Sequence, residues 1–227
     1  MARSQGVLYL DRYSFDLYSD LLATVIRFPF DPKVIRDYDV IDKNGLVNEI
    51  KLFIQQNNLQ PITLVIILSA DVLFTKQITL SDPTKRQATV QSFVENVPFE
   101  SVGSVNIPSA DAIQIIASNK DMYDTIQQSF AASRFSVVAV APAVVINDVN
   151  FSNGLTADIA PQILGMMESL QAYNFQTLPQ TVQLETTKDE TTTKSETKKN
   201  VRLFLLIGVF VLLLVALGVV IFLTNRG

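Results

Sequence analysis

Along the first 145 residues, some stretches alternate apolar and polar side chains with the period of a strand, and others repeat apolar side chains with the period of a helix. This pattern predicts strands and helices in alternation. The continuous apolar run ITLVIIL at residues 62–68 is typical of a strand buried on both faces. Other predicted strands cover residues 7–11, 15–19, 22–28, 73–80, 102–107, 112–118 and 136–141, and predicted helices cover 45–57, 82–97 and a segment that follows Asn119. This pattern predicts a mixed α/β fold.

Two further features complete the predicted domain, residues 1–180. Between residues 71 and 145 the order is strand–helix–strand–strand–helix–strand, which predicts a compact α+β unit. Beyond it, apolar residues with helical spacing predict one more amphipathic helix, capped by Thr156, whose apolar face consists of Ile159, Ile163, Met166, Met167 and Leu170. We expect the Met pair to fill the core.

One long apolar run lies near the C-terminus. Residues 203–223 read LFLLIGVFVLLLVALGVVIFL, without a charged residue or a proline. At about 1.5 Å per residue, these 21 residues make a helix of about 30 Å, the thickness of a bilayer core. We therefore predict a transmembrane helix over residues 201–224, followed by a short external tail, 225–227.

The charges that flank this run predict its orientation. Arg226 alone follows it, whereas the basic residues before it are Lys194, Lys198, Lys199 and Arg202. Excess positive charge stays on the cytoplasmic side of a membrane, and the N-terminus lacks the apolar region of a signal peptide. We expect a single-pass membrane protein whose N-terminal domain is cytoplasmic.

A polar segment joins the predicted domain to the predicted membrane helix. Residues 181–200 read TVQLETTKDETTTKSETKKN, in which four basic residues balance four acidic ones. Because this segment offers almost no apolar surface to bury, it is predicted to be a disordered linker.

The composition excludes several kinds of catalytic and binding site. The chain has no Cys and no His, which excludes disulfides, Cys nucleophiles, Ser-His-Asp triads and imidazole metal sites. It contains neither G-x-G-x-x-G nor G-x-x-x-x-G-K-[ST]. Residues 1–180 carry 12 basic and 18 acidic residues, a net charge of −6 that disfavours nucleic acid. We expect no enzymatic activity, no cofactor, no metal and no nucleic-acid partner.

Four stretches of the chain carry a resemblance to a known family. They are VIILSADVLFTKQITL (65–80), NVPFE (96–100), IIASNKDMYDTIQQSF (115–130) and SRFSVVAVAPAVVI (133–146). Their order, spacing and turn residues resemble the actin-like type IV pilus assembly protein PilM and, more distantly, the cytoplasmic part of type II secretion protein L. The resemblance implies a partial actin-like, ribonuclease H-like N-terminal half with residues 71–145 as an inserted unit.

Two departures from that family bear on nucleotide binding. The family's first hairpin carries a phosphate loop resembling L-D-I-G-S-S-S, whereas this chain reads LDRYSF at residues 10–15. Arg12 and Tyr13 thus stand where small residues let backbone N–H groups approach phosphate. The family's second half has no counterpart here. We expect a half-length, nucleotide-free relative and interpret Asp11 as a turn residue.

The resemblance also implies a function. In the family, the actin-like protein receives a short N-terminal peptide of a bitopic membrane partner in a groove beside the inserted unit. We expect a non-enzymatic scaffold at the bacterial inner membrane that binds bitopic pilus or secretion platform proteins. Peptide addition to an exposed strand edge is one mechanism, and apolar surface left uncovered by the missing half favours docking or a homo-oligomer.

The candidate partner-binding residues are Asn96, Pro98 and Phe99 in the NVPFE turn. A helix stop with a packed Phe explains the same residues equally well. Two other functions remain open. One is a nucleotide-binding actin-like ATPase or sensor completed by a partner chain, and the other is a membrane-anchored regulatory protein unrelated to pili.

Overall fold

The computed structural model describes residues 4–22, 24–79, 83–109 and 112–175, with the backbone alone for residues 83–85. All of them belong to one compact unit, Met1–Val182. The predicted linker, membrane helix and tail lie outside the described residues, together with Lys194, Lys198, Lys199 and Arg202. Within the described ranges, no helix combines the length and the apolar character that crossing a bilayer requires.

Ten strands and five α-helices form within the described part of the chain. In order, they are β1 (Gln5–Leu10), β2 (Ser14–Ser19), β3 (Val25–Pro29), β4 (Ile35–Arg36), β5 (Asp39–Val40), α1 (Lys43–Gln56), β6 (Thr63–Leu68), β7 (Phe74–Thr79), α2 (Pro83–Glu95), β8 (Val102–Pro108), β9 (Ala112–Asn119), α3 (Lys120–Ala132), β10 (Ser136–Pro142), α4 (Ala160–Gly165) and α5 (Met167–Leu170). The mixed α/β class predicted from the sequence is confirmed.

A five-stranded mixed sheet forms the centre of this unit, in the order β10-β6-β1-β2-β3. Strand β1 runs parallel to β6 and antiparallel to β2, and β10 runs parallel to β6. Alternate residues of β1 enter two different cores, as the twofold period of a strand requires. Leu8 and Leu10 pack with α1 and α3 on one face, and Val7 and Tyr9 pack with α4 and α5 on the other.

A smaller antiparallel sheet has the order β7-β9-β8. The predicted unit at residues 71–145 therefore divides between the two sheets. Strand β10 joins the five-stranded sheet, and α3 packs against α1 on the face of that sheet. The apolar residues of α3 that enter this core are Met122, Tyr123, Ile126 and Phe130.

A short hairpin of β4 and β5 is absent from the sequence-based prediction. Its two turn residues, Asp37 and Tyr38, have positive φ angles of 50° and 66°. Such a turn is usually marked by Asn-Gly or Asp-Gly, and this chain has neither residue pair there. Tertiary contacts hold the turn instead, because the Tyr38 hydroxyl lies 2.9 Å from Ser118 Oγ and the Tyr38 carbonyl accepts from Asn119 Nδ2 at 2.9 Å.

The last helix corrects the prediction in two respects. The predicted continuous helix is interrupted at Met166, which separates α4 from α5, and Gly165 with its low helix propensity precedes the break. Thr156 contributes only its carbonyl, which accepts from the Ala160 N–H at 3.1 Å. Met167 is buried and Met166 packs against the same core, so the prediction of a core role for the pair is confirmed.

Candidate functional site

A groove of about 600 Å³ lies between the edge strand β3 and helix α1. The strand side consists of residues 26–29 and Asp31, and the helix side consists of Glu49, Leu52, Phe53, Gln56 and Asn57. We call this surface the β3–α1 groove. Its volume lies within the range of ligand-binding clefts, and its lining is half apolar and half polar.

Helix α1 presents two different faces because of its residue spacing. At its start, Asp42 Oδ1 accepts from the Gly45 N–H at 2.9 Å, which satisfies one of the free donors of the first turn. The inward face buries Leu46, Ile50, Phe53 and Ile54. Glu49, Leu52 and Gln56 follow one another at helical spacing along the groove, and Leu52 is 53% exposed although it is apolar.

Within the part of the chain that the structure describes, the backbone of β3 is unpaired along its outer side. The Phe30 N–H donates to the Tyr13 carbonyl at 2.9 Å, one position beyond the β2–β3 register. Hydrogen-bonded pairs alternate in an antiparallel ladder, so Phe28 and Ile26 also direct their backbone groups to β2. The residues that direct their backbone groups outward are Val25, Arg27 and Pro29. Since proline has no N–H, this edge offers two donors and three acceptors.

The opposite edge of the same sheet is covered by the chain itself. The Val140 N–H of β10 donates to Asn174 Oδ1 at 3.0 Å, and the Val140 carbonyl accepts from the Phe175 N–H at 2.9 Å. Among the described residues, β3 pairs with β2 alone. Within the described ranges, the β10 edge is therefore covered at Val140, and the edge beside the groove stays open to pairing.

The charges of the groove are predominantly negative. Arg27 lines it, but the side chain projects to the opposite face of the sheet from Ile26 and Phe28, where its guanidinium donates to both carboxylate oxygens of Asp16 at 2.7 and 2.9 Å. Asp31 and Glu49 remain as carboxylates. Partial burial, followed by the negative charges of Asp31 and Asp42, raises the pKa of Glu49 above its ordinary value. A positively charged group in the groove would relieve this repulsion.

A second, smaller cavity of about 140 Å³ adjoins the groove at the start of β3. Leu17 lines the small cavity and its register partner Ile26 lines the groove, so the two are neighbours across β2 and β3. Leu21 and Leu59 also line the small cavity, and Leu21 is exposed. This apolar pocket extends the binding surface beyond the groove.

The partner-binding residues predicted from the sequence lie elsewhere, and none of them lines the groove. Asn96 and Pro98 are exposed. Phe99 is half-buried, and its ring packs edge-on against Tyr38 and Phe74 at 5.8 and 5.9 Å. These contacts explain Phe99 as a packed residue, while a role in partner binding for the turn stays a prediction.

The turn after β1 has the hydrogen bonds of a closed hairpin. The Asp11 N–H donates to the Ser14 carbonyl at 2.9 Å, and the Arg12 N–H donates to Asp11 Oδ1 at 2.7 Å. Ser69 Oγ also donates to Asp11 Oδ1, at 2.9 Å. These two backbone donors are therefore occupied within the turn. Burial, followed by the charge of Asp11, raises the pKa of Tyr9 to about 12.

Apart from Arg27, the groups that line the groove are carboxylates, amides and apolar side chains. Within the described ranges, no group of three or more acidic residues could hold a metal ion. The side chains gathered at the β3–α1 groove provide hydrogen bonds, negative charge and apolar contact, which are the means of binding an extended segment.

The sequence contained partial signals for the groove. An apolar Leu52 on the otherwise polar side of α1 departs from a simple amphipathic pattern. A strand that ends in Pro29 is typical of a sheet edge. Neither signal shows that the two elements lie side by side, because that depends on the packing of α1 against the sheet.

No protein-family model matches this chain, and no curated protein matches it. Among solved structures, the chain is similar to the PilM-PilN type IV pilus biogenesis complex, with 13% identity, a TM-score of 0.40, and coverage of 60% of this chain and 46% of that one. It is also similar to the cytoplasmic domain of EpsL, an inner membrane component of the type II secretion system of Vibrio cholerae, with 14% identity, a TM-score of 0.38, and coverage of 63% and 58%.

A third similar structure is a protein of unknown function with an actin-like ATPase fold from Bacteroides thetaiotaomicron, with 11% identity, a TM-score of 0.34, and coverage of 60% and 52%. This chain spans about half the length of the chains it matches. The likeness is loose, and the mixed α/β fold described above rests on its own strand order. Proteins of both families named from the sequence are nevertheless among the similar structures.

Proposed function

We propose that this protein is a non-enzymatic, membrane-anchored scaffold that holds an extended cytoplasmic segment of a bitopic membrane protein in the β3–α1 groove. The observation that carries the proposal is the outer edge of β3, unpaired within the described residues, beside a groove of about 600 Å³, while β10 at the other edge is covered at Val140 by Asn174 and Phe175. An extended peptide binds such an edge through main-chain hydrogen bonds, and an adjacent groove selects its side chains.

The proposal places the scaffold in a type IV pilus or type II secretion-like assembly platform at the inner membrane. This placement rests on the sequence resemblance of residues 65–146 to PilM and to the cytoplasmic part of type II secretion protein L. It agrees with the predicted membrane helix at residues 201–224 and linker at 181–200. A linker of about 20 residues spans about 25 Å on average and raises the local concentration of the domain near membrane partners, so a weak groove contact suffices.

Site-specific photo-crosslinking in intact cells tests this function. A photoreactive phenylalanine analogue replaces Leu52 in the full chain, and matched variants carry it in place of Val144 or Pro98, which are also exposed. We expect the Leu52 position to capture a bitopic membrane protein through its cytoplasmic segment, and the Val144 position to capture none.

Two results would overturn the groove as the partner site. One is capture at Pro98 without capture at Leu52, which would move the contact to the NVPFE turn. The other is the absence of a bitopic partner at every position. Capture at Leu52 of a protein that belongs to no pilus or secretion system would retain the scaffold and overturn its placement.

A further inference from the structure

We propose that the β3–α1 groove selects an extended segment in which one Lys or Arg and one apolar residue stand two positions apart, bound as an added strand on β3. The basic side chain lies against Asp31 and Glu49, and the apolar side chain lies on Ile26 and Leu52. This inference rests on the proposed function and specifies the partner's chemistry.

The strand geometry follows from the backbone of β3. Val25 and Arg27 each offer an outward N–H and an outward carbonyl, and Pro29 offers a carbonyl. An added antiparallel strand exchanges two hydrogen bonds with Val25 and two with Arg27, and donates one more to Pro29. Five hydrogen bonds hold the segment without reading its sequence, so specificity comes from the side chains.

The twofold period of a strand divides the side chains of the segment between the two faces of the sheet. Ile26 and Phe28 project toward the core that α1 covers, because both pack in that cluster. Segment residues opposite Ile26 and Phe28 project to the same side and enter the groove. These two positions are two residues apart in the segment, which sets the spacing of the proposed motif.

The position opposite Phe28 requires a positive charge. It lies toward the Pro29 end of the strand, where Asp31 and Glu49 line the groove. Within the described residues, neither carboxylate makes an ion pair, and the guanidinium of Arg27 lies on the other face of the sheet, where it is bound to Asp16. The charge of Arg27 is therefore not available to them. A Lys or Arg of the segment would supply the missing charge with a hydrogen bond to carboxylate.

The position opposite Ile26 requires an apolar residue. Leu52 is 53% exposed on the helix side of this end of the groove. The adjoining cavity of about 140 Å³ is lined here by Leu17, Leu21 and Leu59. A Val, Ile or Leu side chain of the segment covers this surface, and burying it favours binding by about 25 cal/mol per Å² of apolar area.

A synthetic peptide tests the motif with the full chain in neutral detergent micelles. The probe is fluorescently labelled, acetylated Thr-Val-Thr-Lys-Thr-Val-Thr, which contains Val two positions from Lys in both reading directions. One control peptide has Glu in place of Lys, and another has methylated backbone amides on one edge. Binding is measured by fluorescence anisotropy at several NaCl concentrations.

We expect saturable binding of the Lys peptide that weakens as salt rises. The Glu peptide and the methylated peptide bind at least about tenfold more weakly, since each loses an attraction worth about a factor of ten or more. Asp31→Asn and Glu49→Gln each weaken the Lys peptide by about twofold to tenfold. Glu168→Gln, an exposed acidic residue on α5 at the other face of the sheet, leaves binding unchanged.

A second variant tests the strand edge directly. Val25→Pro removes an outward N–H without removing a hydrogen bond to β2, so it weakens the peptide and leaves the far-ultraviolet circular dichroism spectrum unchanged. Equal binding of the Lys and Glu peptides, or no binding of either, overturns the motif.

If the full chain dimerises and Val25→Pro abolishes the dimer, the motif is overturned, and a second copy of the chain is the occupant of the β3 edge. Peptide binding that arises only when residues 181–200 are deleted would overturn it in favour of the chain's own linker. Capture of a bitopic partner at Leu52, together with equal binding of the Lys and Glu peptides, would support the proposed function and reject the motif.

Discussion

Arg27 and Asp16 face each other across β2 and β3, and the guanidinium binds both carboxylate oxygens at 2.7 and 2.9 Å. The Asp16 side chain is 4% exposed, whereas Arg27 is 62% exposed. The pair therefore joins a buried charge of the sheet to the edge strand that forms one wall of the β3–α1 groove. The guanidinium lies on the face of the sheet opposite the groove, because Ile26 and Phe28 on either side of Arg27 project toward α1.

Breaking this pair from the arginine side is expected to be costly. Arg27→Met retains the aliphatic stem but leaves the Asp16 carboxylate buried without its partner, so the free energy of unfolding falls by about 2–3 kcal/mol. Urea denaturation of the full chain in micelles, followed by circular dichroism, measures the change. Lys51→Met on the exposed side of α1 is the matched control and changes stability by less than about 0.5 kcal/mol. Adding Asp16→Asn to Arg27→Met recovers part of the loss, and no recovery would contradict this account.

Gly103 of β8 makes room for Tyr123 of α3. A Cβ at Gly103 would lie 1.8 Å from the Tyr123 hydroxyl oxygen and 3.0 Å from its Cζ. Gly103→Ala is therefore expected to destabilise the fold by about 2–3 kcal/mol. In the Tyr123→Phe background, Gly103→Ala is expected to lower the free energy of unfolding by less, because the hydroxyl that clashes with the new Cβ is absent. Among the described residues this hydroxyl has no hydrogen-bond partner, so Tyr123→Phe alone changes stability by less than about 1 kcal/mol.

The double-mutant cycle for this pair has a matched control in Gly165, where a Cβ would have open space. Gly165→Ala is expected to leave stability unchanged or slightly improved, because alanine favours the end of α4. If the loss of unfolding free energy in the double variant equals the sum of the losses from Gly103→Ala and Tyr123→Phe, the steric relationship is contradicted.

Alkaline pH is expected to unfold the domain through its buried tyrosines. Burial raises the pKa of Tyr38 above its usual value of 10.0. Above pH 10 the unfolded chain therefore loses the phenolic proton while the folded chain keeps it. The stabilising contribution is complete below pH 10 and is lost as pH rises toward the folded pKa, by about 1.4 kcal/mol per pH unit for each such group. Urea midpoints between pH 8 and 11.5 measure this loss, and Tyr38→Phe makes it shallower. An unchanged slope in that variant would reject Tyr38 as a contributor.

As the pH is lowered, peptide binding in the groove is expected to weaken at a higher pH than the ordinary pKa of a glutamate would predict. The pKa of Glu49 is raised by partial burial, by Asp31 and by Asp42, so Glu49 loses its negative charge at a higher pH than usual. A Lys side chain in the groove favours the ionised form of Glu49, so protonation of Glu49 competes with binding of the peptide. Anisotropy titrations from pH 7 to 4 measure the effect. Glu49→Gln flattens the upper part of the profile, and an unaltered profile in that variant would contradict the assignment.

The turn at Asp11 is expected not to bind nucleotide. The N–H groups of Asp11 and Arg12 are occupied within the turn, and the Arg12 and Tyr13 side chains are exposed at it. A fluorescent ATP analogue with Mg²⁺ is therefore expected to show no saturable binding to the full chain, at protein concentrations up to about 100 times the Kd of a typical micromolar nucleotide site. Saturable, magnesium-dependent binding would support the alternative of an actin-like sensor.

The succession of elements could be predicted from the sequence because each element is encoded locally. The apolar run at residues 62–68 and the alternation in β1 follow from side chains a few positions apart. The same holds for the apolar stripe of α1. One local prediction was wrong where packing overrides pattern, because the break at Met166 interrupts a continuous apolar stripe. Asn119 precedes α3 as predicted and occupies its N-cap position, but its side-chain amide donates to the Tyr38 carbonyl instead of capping the helix.

Residues 1–180 by themselves predict a mixed α/β domain, its order of strands and helices, and its acidic character, since periodicity and charge are properties of neighbouring residues. The candidate site arises only in the folded chain. Tyr38 meets Ser118 across 80 positions and Asn174 covers Val140 across 34, and such contacts decide which strands share a sheet and which edge stays open. No local pattern records these pairings, because side chains distant along the chain become neighbours only when burial of the shared core brings them together.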